Sequence, residues 1–184
     1  WQRVGEFMKM VRESEANSAR ALEFTILTAS RVGMVLGATW SEIDIENKCW
    51  TVPRTRMKSG VEFRVALSED AVALLLRMKR YKRNELVFPA QRGGRISDMT
   101  LTKFIRDSHE RRIKTGLNGW SDPKSDNRVI VVHGFRSTFR DFCADKGKPA
   151  HLAEQALAHV ISDKVISAYN RSDLFEQRIA LMNF

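Results

Sequence analysis

Arg31, Lys58, His133, Arg136, His159 and Tyr169 stand in that order along 184 residues, and together they hold the groups needed to break a phosphodiester with a phenol. Two guanidinium groups can grip phosphate oxygens bidentately and hold the charge of a transition state. Lysine and histidine side chains can move protons, and a phenol can attack phosphorus. A free phenol has a pKa near 10, so Tyr169 needs cationic neighbours to stabilise its phenolate. Arg31, Arg136 and His159 are the candidates. Taken singly, the residues have plainer readings. Tyr169 follows Val165 and Ile166 at helical spacing, as a half-buried packing tyrosine would, and His159 closes an apolar helix, where a structural hydrogen bond is the commoner role.

The helix expected to open at His133 sorts its side chains by face. At about 100° per residue, His133, Arg136 and Arg140 fall within an arc of roughly 60°, while Phe135, Phe139 and Phe142 cluster elsewhere. One face is core and the other polar. Unpaired amides and the dipole at a helix N-terminus favour phosphate, and His133 and Arg136 add charge there. A surface helix with solvated basic residues is the alternative.

The elements that must position these groups are mostly helical. Apolar residues at helical spacing predict helices from Trp1 to Val11 and Ser18 to Ser30, with a shorter one from Arg31 to Ala38. Short strands are expected at Cys49 to Pro53, Phe63 to Leu67 and Leu86 to Phe88, the first two joined by a turn around Lys58-Ser59-Gly60, which makes a small antiparallel sheet. Ser68 is placed to cap a helix reaching about Lys82, and Ser97 with Asp98 to start another through Ile105. Thr115 to Arg128, rich in Gly, Asn, Ser, Asp and Pro, reads as a long exposed loop. Closing helices follow at about Phe135 to Asp145, His151 to Ala158, Ser162 to Asn170 and Asp173 to Met182.

Composition bounds the class. Lys and Arg number 31 against 22 Asp and Glu, a net charge of +9 that attracts polyanions, nucleic acid first and an anionic membrane surface second. No apolar run approaches the ~20 residues needed to span a bilayer, and the start lacks a secretory signal pattern. A cytoplasmic protein is expected. Cys49 and Cys143 have no metal-binding or disulfide spacing and read as reduced thiols. There is no Gly-x-x-x-x-Gly-Lys loop, no His-Glu-x-x-His and no compact carboxylate cluster, so neither metal nor cofactor is expected.

Several segments resemble the tyrosine recombinase, or phage integrase, family. Thr28-Ala29-Ser30-Arg31-Val32-Gly33, followed by Leu36-Gly37-Ala38-Thr39-Trp40-Ser41-Glu42-Ile43-Asp44, is similar to the family's first-arginine segment, and Met57-Lys58-Ser59-Gly60 to its β-hairpin lysine. His133-Gly134-Phe135-Arg136 resembles the His-x-x-Arg box, Leu157-Ala158-His159 the next motif, and Ala168-Tyr169-Asn170-Arg171 the nucleophile segment. Ser172 to Arg178 is similar to integrases of satellite prophages and genomic islands. One departure stands out: Met34 lies three residues after Arg31, where the family usually carries glutamate.

The resemblance implies an α+β, mainly α, catalytic-domain fold with a small antiparallel sheet packed against helices. It implies site-specific DNA recombination without metal or ATP, through a 3′-phosphotyrosine on Tyr169. Arg31 and Arg136 would clamp the phosphate, His159 would donate to it, Lys58 would protonate the leaving 5′-oxygen, and His133 would assist proton transfer at the nucleophile. Arg54 and Arg56 in the hairpin, Arg92 and Arg95 in the Arg92-Gly93-Gly94-Arg95 loop, and Arg140 are candidates for contacts to the DNA backbone, with exposed turns as the other reading. Expected partners are double-stranded DNA at attachment sites, further copies in a tetramer on DNA with a monomer when free, a host DNA-bending protein and a directionality factor. Residues 1–184 would form the catalytic domain, and the start on Trp1 suggests that DNA-binding domains preceding it lie outside this chain. A DNA-binding module that has lost catalysis and a type IB topoisomerase-like strand passer are the alternatives.

Overall fold

The computed structural model describes residues 2–159 and 173–184. Three helices lead: α1 (Val4–Glu13), α2 (Asn17–Leu27) and the single-turn α3 (Val32–Leu36). A three-stranded antiparallel sheet follows in the order β1 (Ile43–Asp44), β2 (Cys49–Val52), β3 (Phe63–Ala66). Then come α4 (Glu69–Arg80), α5 (Asp98–Lys114), a two-stranded ribbon of β4 (Ser121–Asp122) and β5 (Arg128–Val129), α6 (Gly134–Asp145), α7 (Ala150–Ala156) and α8 (Phe175–Met182). The mainly helical α+β class is as the residue pattern implied. No helix among the described residues is long and apolar enough to cross a membrane.

Capping explains where the middle helices begin. Ser68 Oγ accepts from the Ala71 amide at 3.3 Å and Ser97 Oγ from the Met99 amide at 3.3 Å, with Glu69, Asp70 and Asp98 in the first turns. The helix after Ser97 runs on to Lys114, well past Ile105, through a charge-dense second half whose one strongly apolar residue, Ile113, gives no helical period to read.

The sheet uses both faces. Trp50, Val52 and Val65 face the main core, while Cys49 and Ala66 face Phe175 of α8, as the two-residue period of a strand requires. Trp50 pairs with Val65 and Cys49 with Ala66 in register. Leu86 to Phe88 is not a strand: Leu86 makes a single bridge to Thr39, and Val87 and Phe88 are core residues ahead of Pro89. The third strand is instead Ile43–Asp44, too short and too polar to stand out in the chain.

The main core centres on Phe7, Leu22, Phe24, Trp50, Leu74, Phe88 and Phe135, each large side chain contributing on the order of 1.5–3 kcal/mol by burial. A second cluster of Cys143, Leu152, Ala153, Ala156 and Leu181 joins α6, α7 and α8. Arg178, 1% exposed, fastens α8: it donates to the Arg64 carbonyl at 2.6 Å and, through Nε, to the Asp173 carbonyl at 2.8 Å. Burial lowers its pKa, with Asp173 opposing that shift.

The expected exposed loop after α5 is an anchored structure. Trp120 is 2% exposed, its ring edge-on to Phe7 at 5.1 Å, with the guanidinium groups of Arg3 and Arg112 over the indole at 4.9 and 4.4 Å. Its carbonyl accepts from the Ile130 amide at 3.1 Å, so the ribbon between them is an excursion closed at its base. One tryptophan outweighs the turn-forming composition around it. Trp120→Ala is expected to lower the unfolding free energy by about 3–5 kcal/mol, read from urea denaturation, the range for truncating a buried large aromatic.

Candidate active site

Arg136 lies in the first turn of α6, and it is buried rather than solvated. Its Nη1 donates to the Ala29 carbonyl at 2.6 Å, and its Nη2 to the Leu157 carbonyl at 2.6 Å and to His159 Nε2 at 3.1 Å. The polar face expected on this helix therefore divides: Arg136 turns inward, while His133 at the helix start and Arg140 remain exposed.

Arg31 approaches the same place from the other side. It sits immediately before α3, and its Nη2 reaches the Ala158 carbonyl at 3.4 Å. The two arginines are thus attached to consecutive carbonyls of one turn, and Arg136 also holds Ala29, two residues before Arg31. They are near enough for their charges to interact. Burial first, and the charge of Arg31 second, push the Arg136 pKa down to about 10, while Glu154 opposes the shift. Arg136 still carries its charge at neutral pH.

Two helix ends make this arrangement. Ala29 follows α2 with φ 47°, and Ala158 follows α7 with φ 50°, both left-handed conformations that an L-residue with a Cβ adopts at a cost. The reversal turns the terminal carbonyls, already the negative end of a helix dipole, onto the guanidinium groups.

His159 is oriented by its neighbours. A guanidinium can only donate, so Nε2 accepts from Arg136 and the ring proton sits on Nδ1, which donates to the Glu154 carboxylate in a very short contact. Arg140 pairs with the other Glu154 oxygen at 3.8 Å.

The remaining candidates divide by their partners. Lys58 is exposed at the hairpin turn, and no hydrogen bond or ion pair holds it among the described residues; the same is true of the side chains of His133, Arg54 and Arg92. Arg95 is exposed and pairs with Asp98 at 3.3 Å. Arg56 differs from the expectation of a backbone-contacting arginine. Its Nη1 donates to the Met34 carbonyl at 2.9 Å and its Nη2 contacts the Glu42 carboxylate, which also accepts from Trp50 Nε1 at 3.0 Å. Its donors face inward. The sequence assigns no role to Glu42 or Glu154, because no spacing rule ties a lone glutamate to an arginine or histidine distant in sequence or across a turn. Tyr169, and the helix expected from Ser162 to Asn170, lie outside the described residues. Among the described residues, no group of three or more His, Cys, Asp or Glu side chains is placed to hold a metal ion.

A mainly helical domain with a small antiparallel sheet and two arginines converging on one turn has the architecture of a tyrosine recombinase catalytic domain. The family model for the phage integrase family matches residues 2–174, and the chain belongs to that family. It is 33% identical over 162 residues to prophage integrase IntA of Escherichia coli (strain K12), covering 86% of this chain and 35% of that protein. The chain thus spans about a third of that relative's length. Among solved structures, the Tn1549 transposon integrase (residues 82–397) in complex with circular intermediate DNA matches with a TM-score of 0.68 at 14% identity, over 93% of this chain and 59% of that one. The lambda integrase catalytic core matches with a TM-score of 0.59 at 22% identity, over 85% and 88%. These likenesses show the fold.

Two outcomes follow from the geometry. Pyrophosphate is expected to raise the melting temperature and to lose that effect in Arg136→Gln; because the bound anion favours the charged guanidinium, the effect in the unmutated protein should fade as pH rises through about 10. Ala158→Gly is expected to raise stability by up to about 1 kcal/mol in denaturant titrations, since glycine removes the left-handed strain at a smaller cost in chain entropy.

Proposed function

We propose that the protein containing this chain is a site-specific DNA recombinase that cleaves and rejoins DNA through a 3′-phosphotyrosine. The observation that carries the reading is the convergence of Arg31, Arg136 and His159 on the turn at residues 157–159. Two cations held together, one of them buried, form a place where an anion relieves their mutual repulsion. A phosphate has the charge and size for it.

The steps assign one role to each group. Arg31 and Arg136 hold the nonbridging oxygens, and preorganised charge of this kind is usually the largest catalytic term. Tyr169 Oη attacks phosphorus in line, so the Oη–P bond forms as the P–O5′ bond breaks. The phenolic proton passes towards His133, and Lys58 gives its proton to the departing 5′-oxygen. His159 donates to the phosphate once Nε2 carries a proton, with Glu154 fixing the ring. Attack by a 5′-hydroxyl from a partner strand reverses these steps and joins DNA in a new combination. The ester conserves the bond energy, so neither ATP nor a metal is invoked.

Partners follow from the same reading. The substrate is double-stranded DNA at attachment sites, gripped through its phosphates; Arg54 and Arg92 are free to contact the backbone, and Arg95 and Arg140 can join by exchanging their carboxylates for phosphates. Assembly as a tetramer on DNA is supported by the likeness to lambda integrase, a protein solved as a tetramer bound to a Holliday junction. Residues 1–184 act as the breaking and rejoining domain, with further DNA-binding domains, a host DNA-bending protein and a directionality factor completing the system in the cytoplasm.

A nicked attachment-site substrate tests the proposal, because loss of the short fragment traps the covalent adduct. The adduct is expected with the complete protein, unaffected by EDTA, absent in Tyr169→Phe, and formed about 10²–10³-fold more slowly in Arg31→Ala or Arg136→Ala. An adduct that survives Tyr169→Phe would sink the assignment, as would one that requires magnesium.

A further inference from the structure

We infer that Arg56 is a positioning residue for this reaction: clamped between the Glu42 carboxylate and the Met34 carbonyl, it fixes the root of Lys58 relative to Arg31. The inference rests on the roles proposed above for Lys58 and Arg31.

A path of hydrogen bonds connects the two functional residues. The Arg31 carbonyl accepts from the Met34 amide at 3.0 Å, and the Met34 carbonyl accepts from Arg56 Nη1 at 2.9 Å. Arg56 closes the short helical turn Arg54–Arg56, its amide donating to the Pro53 carbonyl at 3.0 Å. Met57 comes next, 8% exposed and packed in the main core, and Lys58 follows it into solvent. Two adjacent residues therefore anchor the backbone just before Lys58, while the ammonium keeps its freedom to reach a leaving oxygen.

The clamp on Arg56 is itself held. Glu42 Oε2 accepts from the Thr39 amide at 3.4 Å and from the indole of Trp50, which is fully buried. With the Glu42 side chain 14% exposed and that of Arg56 21% exposed, this is a partly desolvated pair, and removing either member strands the charge of the other. Neutralised by Glu42, the guanidinium neither repels the Lys58 ammonium nor competes with Arg31 and Arg136 for phosphate.

Gly37 supplies the space. A Cβ built there would lie 2.9 Å from Arg56 Nη1 and 3.1 Å from its Cδ, so any side chain at this position pushes the guanidinium aside. The Gly37 backbone has φ −101°, which any residue can adopt, so room rather than conformation sets the requirement.

A substrate with sulfur in place of the bridging 5′-oxygen tests this inference. Its P–S bond breaks to a thiolate, which is stable near neutral pH and leaves without the proton that Lys58 would supply. Trapped-adduct formation by the complete protein is measured on nicked DNA with oxygen or sulfur at that bridge. Arg56→Lys, Glu42→Gln and Gly37→Ala are expected to slow cleavage of the ordinary phosphodiester by on the order of 10²-fold, the effect of misplacing a reacting group by about 1 Å. All three, like Lys58→Ala, are expected to return to the unmutated rate on the sulfur substrate. Should Arg56→Lys fold poorly, Gly37→Ala gives the same readout with every polar group retained. Equal slowing on both substrates, or no slowing on either, overturns the inference. If Lys58→Ala is rescued by sulfur and the three variants are not, only the positioning role falls; if Lys58→Ala is not rescued, the role of Lys58 falls and the positioning role with it.

Discussion

A buried guanidinium bonded to the ends of two helices is the constraint on which the rest of this structure depends. Removing a cation from water costs several kcal/mol unless dipoles or counter-charges replace the lost solvent. For Arg136 the replacement is the Ala29 carbonyl after α2 and the Leu157 carbonyl after α7. These groups sit at the negative ends of their helices and cannot swing away. The charge is stabilised enough to be tolerated inside the fold and is left short of a full counter-ion.

That incompleteness connects stability with function. Arg31 lies close enough to lower the proton affinity of Arg136, so two like charges are held near each other by the packing of α2, α6 and α7. An anion between them would lower the energy of the folded protein. The left-handed alanines belong to the same arrangement, since each turns a carbonyl that would otherwise point along its helix axis. Local strain, a buried charge and unrelieved repulsion collect around the turn at residues 157–159, while ordinary apolar packing elsewhere holds it together.

The two glutamates near the site work in parallel. Glu154 holds His159 in one tautomer and meets Arg140 on its other oxygen, and Glu42 holds Arg56 and Trp50. Each carboxylate fixes two side chains at once. In a chain with a net charge of +9, carboxylates placed in this way decide which of many cations serve as internal struts.

Much of this was legible before any coordinates. Helical spacing located most of the helices, and Ser68 and Ser97 marked two starts, because those readings depend on residue type and local period alone; the order of Arg31, Lys58, His133, Arg136 and His159 suggested a shared site, of which the structure brings Arg31, Arg136 and His159 together. Three features escaped such local rules. Trp120 sat in a stretch composed like a loop, the third strand was too short to show alternation, and Arg56 looked like any basic hairpin residue. For two of them the partner that decides the outcome lies far along the chain: Phe7 for Trp120, Met34 for Arg56. Arg136 is the sharpest instance, since a helical wheel gives a face but not what lies against it. Residue types and their local period settle which charges exist and which elements carry them. Which of those charges are buried together is settled by packing, because desolvation and hydrogen-bond partners are properties of surfaces brought into contact by folding.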